Sequence, residues 1–306
     1  MKILTNIPEQ IAGAFREFPK ITRRMLMEEY RISEYDAKIY SYIFNHGKVV
    51  AHYETKLKPR KGETKKALIL ADLQIPYHDE NALEVAIEWG KKQNPDCVVL
   101  QGDIFDCYKI SFFKNDPLRM GFQDEINVGK KVLEWIGREF PGAEKVFITG
   151  NHEERLKNEL WGASRKLAGL DVLNIAYLYD MKGMGWEYVD NKALLANDMQ
   201  VFKLGKLHLI HGHEVKVNYN VVNIPRIYYQ RCLVNILVAH HHRTQEYIER
   251  KLDHTHDGAW SVGCLCLLGQ EYSPMNKWNH GVALVEWDSD GDFAIQNKKI
   301  INGKIL

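Results

Sequence analysis

Cysteine is scarce in this sequence: five residues in 306, at Cys97, Cys107, Cys232, Cys264 and Cys266. The number is odd and most of them sit in apolar runs, which disfavours a secreted disulfide framework and predicts reduced thiols in a cytoplasm. No CxxC pair occurs, so a zinc ribbon has no basis. No stretch reaches the ~20 consecutive apolar residues of a membrane span. The first residues, MKILTNIPEQIAGAF, lack the long apolar centre of a signal peptide. Internal repeats and low-complexity segments are missing too. Net charge is small, +1, with 45% apolar and 26% charged residues, as in an ordinary soluble globular chain.

That small charge is unevenly placed. Residues 1–66 hold 14 Lys/Arg against 8 Asp/Glu, a net of +6, which leaves −5 for the remaining 240. A basic front on an acidic body fits either an anionic partner such as nucleic acid or a plain solvated face. Residues 7–46 read as helical, with Ser33 and Asp36 spaced as a capping box and Asn45-His46-Gly47 as a stop. Two short helices around a turn suit a DNA-binding helix-turn-helix, or a packing or dimerisation element. Residues 48–66 carry seven Lys/Arg with one Pro and one Gly and read as a linker. The expected division is a helical segment with its basic linker at 1–62 and a second domain at 63–306.

From residue 66 the pattern alternates. KALIL, DCVVLQGD and EKVFITGNH are near-continuous apolar strands; ENALEVAIEWGKKQN and residues 123–139 are amphipathic helices between them. KLHLIHGHE, VNILVAHHH and SVGCLCLL continue the strand pattern, and a hairpin is expected at Asp288–Asp292. Within SVGCLCLL, Cys264 and Cys266 read as two small buried residues. Apolar strands of this kind lie in a sheet covered on both faces.

The ends of these strands carry the chemistry. They run Asp72; Gly102-Asp103-Ile104-Phe105-Asp106; Gly150-Asn151-His152-Glu153; His211-Gly212-His213; and Ala239-His240-His241-His242. Each delivers Asp, Asn or His at the carboxyl edge, where open α/β sheets bind ligands. Five such ends, mixing hard carboxylates with imidazoles, point to metal.

These blocks resemble the calcineurin-like metallophosphoesterase superfamily, whose pattern is Asp-x-His, Gly-Asp-x-x-Asp, Gly-Asn-His-Asp/Glu, His and Gly-His-x-His. The likeness covers roughly residues 66–245, and SVGCLC and NKWNHG are similar to segments of predicted bacteriophage phosphoesterases. The resemblance implies an α/β fold: a β-sandwich flanked by helices (four-layer αββα), preceded here by the small helical segment. It also implies two divalent ions and a phosphate-ester substrate. Asp103 would bridge the ions; Asp72 and His242 would hold the first, and Asn151, His211 and His240 the second. His152 would protonate the leaving oxygen, with Asp106 and Glu153 orienting it or a ligand imidazole. Arg155 and Arg243 are candidates to hold a phosphate oxygen, against ordinary surface ion pairs.

Gln74 departs from the pattern, since the family places a ligand His there. Three readings stay open: its carbonyl oxygen ligates the first ion, His78 or a water completes the shell, or the first site is weakened. Oxygen in place of nitrogen favours Mn²⁺ over Zn²⁺, with Mg²⁺ or Fe as alternatives. Ala239 for Gly is a smaller change. His213 shares a face with His211 if the strand runs on through Gly212 and not if the chain has already turned. His241 alternates away from His240 and His242 and is not expected as a ligand, with a place facing substrate left open. His254 and His256 read as a polar loop or one that reaches over the site. The function expected is hydrolysis of phosphate esters, a phosphodiesterase or nuclease acting on nucleic acid first, a phosphomonoesterase or a non-catalytic scaffold as alternatives. No membrane partner is expected. The setting would be cytoplasmic, a host cytoplasm if the chain is phage-encoded.

Overall fold

The computed structural model describes residues 27–28, 57–113, 116–198, 200–217, 222–269 and 275–306. The chain divides into two units, Met1–His52 and Tyr53–Leu306, and every element below belongs to the second. The helix-turn-helix reading of residues 7–46 and the start of the linker lie outside the described residues, apart from Met27–Glu28.

Parallel strands β1 (Thr64–Leu70), β2 (Cys97–Gln101), β3 (Glu144–Ile148) and β4 (Trp186–Val189) form one half of a first sheet. Antiparallel β10 (His280–Asp288), β11 (Phe293–Ile301) and β12 (Lys304–Ile305) extend it past β1, giving the order β12-β11-β10-β1-β2-β3-β4. A second sheet has the order β5-β6-β7-β9-β8, from β5 (Phe202–Leu204), β6 (Leu207–Leu209), β7 (Ile236–Val238), β8 (Gln245–Arg250) and β9 (His256–Ser261). The hairpin expected at Asp288–Asp292 closes β10 onto β11, with the Asp288 N–H donating to the Asp292 carbonyl at 3.0 Å.

The run Ala67–Leu70 is apolar throughout because both faces of β1 are covered. Leu68 and Leu70 join one core cluster with Leu83, Ile87, Leu133 and Ile136 from helices α1 (Glu80–Gln93) and α2 (Phe122–Glu139). Ala67 and Ile69 point to the other face, yet are fully buried. The second sheet lies against that face. Trp260 of β9 packs edge-on against Phe293 of β11 at 5.7 Å, and Asn297 of β11 donates to the carbonyls of Gln245 and Ser261. Helix α6 (Ile224–Cys232) covers the second sheet with Ile224 and Tyr228 against Ile236, Val238 and Ala259. The layers are therefore helix, sheet, sheet, helix. The remaining helices, α3 (Glu154–Ala163), α4 (Ile175–Leu178) and α5 (Asn191–Asp198), follow β3 and β4.

Three strand expectations need trimming. β6 and β7 stop at Leu209 and Val238, so the histidines after them lie on loops. Within SVGCLCLL only Ser261 belongs to a strand; Cys264 and Cys266 make single bridges to His280 and His78.

Candidate metal centre

Each ligand-bearing strand leaves its sheet by an abrupt turn. Asp72, Gln74, Asp103, His240 and His242 all take positive φ, between 50° and 66°. Non-glycine residues in this region are uncommon and gather at functional sites. Two glycines make room. Gly102 has φ 81°, and a Cβ there would stand 2.5 Å from His211 Nδ1; at Gly150 it would stand 2.1 Å from Asp103 Oδ1.

Glu153 holds the turn after β2. Its carboxylate accepts from the backbone N–H groups of Asp103 (3.0 Å), Ile104 (2.8 Å), Phe105 (3.0 Å) and Gly150 (2.7 Å). Its hydrogen bonds thus go to backbone amides, where sequence reasoning had them on His152 or a ligand imidazole. Burial and the Asp103 carboxylate push its pKa up.

The ligands converge on Asp103. Its Oδ2 lies 3.1 Å from His211 Nε2, its Oδ1 accepts from the His152 N–H at 2.9 Å, and the donor atoms of Asp103, His211 and His240 fall within 4.8 Å of one another. Asp72 Oδ1 lies 3.1 Å from His242 Nε2 and 4.0 Å from His211 Nε2, while Asp72 Oδ2 accepts from the His240 N–H. Gln74 is buried beside them, its N–H on the Asp103 carbonyl at 2.9 Å. His211 Nδ1 sits 3.0 Å from the Gln101 carbonyl, which can only accept, so Nδ1 carries a proton and Nε2 faces the carboxylates.

The residues fit a pair of cations. Asn151 Oδ1 is buried without a hydrogen-bond partner, and Asp72 Oδ1 and His211 Nε2 meet only other atoms of the cluster, His242 Nε2 and Asp103 Oδ2 at 3.1 Å each, an arrangement that a cation between them would satisfy. Electrostatics agree. Burial alone would lower the pKa of His211 and His242, but Asp103 and Asp72 respectively outweigh it and hold both rings at about 10. The carboxylates thus draw positive charge to themselves through these two rings. His240, half-buried and next to His211, is pushed well down by desolvation and by its neighbour's charge.

His152 lies at the edge of the cluster. Its Nδ1 is 2.9 Å from Asp106 Oδ1, and Arg155 Nη2 approaches its Nε2 at 2.9 Å. Arginine has no acceptor, so this contact puts the imidazole lone pair on Nε2 and its proton on Nδ1, toward Asp106. Arg155 also donates to the Asp106 carbonyl. Arg243 follows His242 and is half-buried. His78 is tied by its backbone to Cys266, and its Nδ1 is buried without a partner. His254 sits in the β8–β9 turn, facing Arg250, and His256 opens β9 at its amino end. Since β7 and β9 are parallel, that is the edge opposite His240; the polar-loop reading is the one the fold takes.

The family model of calcineurin-like phosphoesterases matches residues 65–269. The chain belongs to that family. No curated protein matches it. Among solved structures, this phosphoesterase is similar to a single mutant of Vps29 from Entamoeba histolytica, at 13% identity and TM-score 0.41, covering 79% of this chain and 96% of that one. It is similar also to Yfce, a phosphoesterase from E. coli, at 14% identity and TM-score 0.34, over 76% and 98% of the chains. A dimetal phosphatase from Danio rerio matches at 12% identity and TM-score 0.36, over 79% and 98%. Among the described residues no helix is long and apolar enough to cross a membrane.

Several residues that shape this phosphoesterase centre were not singled out from sequence. Gln101 donates to the carbonyls of Ile210 and Leu237, at 2.7 and 2.8 Å, beside the bond its own carbonyl makes to His211. Glu214 accepts from the N–H groups of His211 and Gly212. Tyr228 donates to the Gly212 carbonyl and faces His241 Nε2 at 2.9 Å. A cavity of about 800 Å³ opens next to Asn151 and His240, lined also by Glu154, Asn158, Lys192, His213 and Lys216. His213 lies 3.1 Å from Glu154, which also pairs with Lys192 at 2.6 Å. Of the His213–Glu154–Lys192 chain, the sequence pointed to the histidine alone; its partners come from other elements.

Proposed function

We propose that this chain hydrolyses phosphodiesters at a dinuclear centre, with nucleic acid as the substrate class. The observation that carries the reading is the convergence of donor atoms on Asp103: those of His211 and His240 lie within 4.8 Å, Asp72 Oδ1 stands 4.0 Å from His211 Nε2, and Asn151 Oδ1 is buried without a hydrogen-bond partner. Asp72, Gln74, Asp103 and His242 would hold one ion; Asp103, Asn151, His211 and His240 would hold the other. Bound there, two divalent ions would supply Lewis acidity to the phosphate and a lowered pKa to the attacking water. The oxygen donors at positions 72, 74, 103 and 151 favour Mn²⁺.

His152 supplies the proton for the leaving oxygen. For that it must carry a second ring proton, on Nε2, balanced by Asp106 at 2.9 Å and Asp103 Oδ2 at 3.6 Å. A ring so protonated no longer accepts from Arg155, whose guanidinium then turns to a phosphate oxygen. The cavity beside Asn151 and His240 supports a diester over a small monoester, because about 800 Å³ is far more than a phosphate needs. Lys192 and Lys216 on its wall suit an anionic leaving group.

Gln74 favours a second reading, a binding scaffold with a weakened first site. One assay separates the two: hydrolysis of bis-p-nitrophenyl phosphate with Mn²⁺, against a chelated control. Turnover abolished by chelator is expected. No turnover with Mn²⁺, Mg²⁺ or Zn²⁺ would overturn the diesterase reading.

A further inference from the structure

Behind His242 lies a second set of donors. Cys264 and Cys266 are two apart in an extended segment, so both thiols fall on one side of the chain. Leu265 between them joins the core under α1 and α2. The bridge from Cys264 to His280 ties the segment to the start of β10, and that from Cys266 to His78 ties it to the loop after β1. Donor atoms of His242, Cys264 and Cys266 all lie within 4.8 Å of one another, and all three residues are buried. Cys266 Sγ is 3.8 Å from His242 Nδ1. The other ring nitrogen, Nε2, faces Asp72 at 3.1 Å. Trp278 packs against the imidazole with ring centroids 4.1 Å apart, limiting its rotation.

The two sides of this imidazole differ in chemistry. Toward Asp72 the donors are carboxylate and amide oxygens, suited to hard cations. Toward Cys266 they are sulfurs, which select thiophilic cations such as Zn²⁺, Cd²⁺ or Cu⁺. Bonds of about 2.3 Å to sulfur and about 2.0 Å to nitrogen place the ligands of such an ion roughly 3.5–4 Å apart. Cys266 Sγ and His242 Nδ1, 3.8 Å apart, are at that spacing, and the third donor lies within 4.8 Å of both.

We propose that Cys264 Sγ, Cys266 Sγ and His242 Nδ1 form a site for one thiophilic cation, separate from the phosphoesterase pair and competing with its first ion through the shared imidazole. Binding releases to solvent the protons still carried by the thiols and, from a ring held protonated at both nitrogens, the Nδ1 proton of His242. A neutral imidazole has one ring proton and one lone pair. With the proton on Nε2, donated to Asp72, the lone pair on Nδ1 serves the thiophilic cation. With the proton on Nδ1, directed at Cys266, the lone pair on Nε2 serves the first ion of the centre. The competition rests on the proposed role of His242 in that centre; the thiol site does not.

The test uses the full chain, reduced and freed of metal, titrated with Cd²⁺ while the thiolate-to-cadmium charge-transfer band is followed. One equivalent should raise the band in the unaltered chain and in Asp103→Asn, and Cys264→Ser and Cys266→Ser should each weaken binding at least about tenfold. A chain that develops no band overturns the site, as does a band unchanged in both serine variants. Zinc-edge X-ray absorption on the unaltered chain checks the result without any substitution: two sulfurs at about 2.3 Å support the site, a shell of oxygen and nitrogen alone overturns it. Mn²⁺ binding followed by electron paramagnetic resonance tests the competition. Cd²⁺ should weaken the first Mn²⁺ in the unaltered chain and leave it unchanged in Cys266→Ser; equal Mn²⁺ affinity with and without Cd²⁺ overturns that half. A cadmium band in a chain that binds no Mn²⁺ upholds the thiol site while removing the dinuclear reading, and Mn²⁺ binding without a band does the reverse.

Discussion

His152 shows how much a single side chain can do here and how it is set up. Its main-chain N–H binds Asp103 Oδ1 while its ring spans Asp106 and Arg155. The residue therefore fixes the Asp103 carboxylate as well as serving as the proposed acid. Replacing His152 by Ala keeps the main-chain bond and removes only the ring. Turnover of a diester should fall ~10²–10⁴-fold with Mn²⁺ affinity unchanged, measured by steady-state kinetics beside metal titration. An unaltered rate would take His152 out of the chemistry. The residues that gather around Asp103 were legible in the sequence, since Asp, Asn and His ending apolar strands have few structural uses. Their helpers were not. Gln101 ends a strand like any buried polar residue, and nothing in CVVLQ says that its amide will reach two carbonyls on another sheet. Glu153 was visible, but its task was not, because four backbone amides leave no trace in side-chain spacing.

Among the elements, α2 carries a charge in the wrong place for an amphipathic helix. Glu125 is buried on its core side, accepting from the N–H groups of Cys107 (2.7 Å) and Tyr108 (3.3 Å). Burial, reinforced by Asp106 and opposed by those amides, raises its pKa from 4.5 to about 7. The folded chain therefore binds more protons than the unfolded chain between those values, and stability is lost as pH rises through that window. The loss is of order 3 kcal/mol once pH exceeds 7. Glu125→Gln has no proton to lose. Urea unfolding at pH 5 and at pH 8 should show the unaltered chain losing more stability than the variant; parallel behaviour would mean that Glu125 is charged throughout. Helices α1 and α2 themselves were readable almost to the residue, because Asp79 caps one and 3.6-residue periodicity marks both. The strands of the second sheet were read too long. Apolar pattern continues through Ile210 and Ala239, but the left-handed turns that aim the histidines have already ended the ladder.

For the whole molecule the sequence's charge asymmetry makes a claim that the phosphoesterase core alone cannot. The core is shared by the family and sets no substrate, whereas residues 1–66 carry a net +6. If nucleic acid is the substrate, affinity for a short DNA or RNA should fall steeply between low and moderate salt, as counterions displaced from phosphates are paid back. Fluorescence anisotropy at a series of salt concentrations reads this directly, and a flat line would set nucleic acid aside in favour of a small diester. The pairing of two sheets within a four-layer arrangement was foreseen only through family likeness. Periodicity tells that both faces of a strand are covered, without telling whether a helix or a second sheet does the covering.

The Gln101 contact has a mechanical corollary. One amide grips the ends of two strands in the opposite sheet, while the adjoining carbonyl steadies the ring of His211. Any slip of one sheet across the other must loosen that grip and tilt the imidazole with it. Metal affinity in this protein is thus a gauge of interlayer alignment: a core substitution far from the ions that lets the layers shear will register first as a leaking metal, before the chain unfolds.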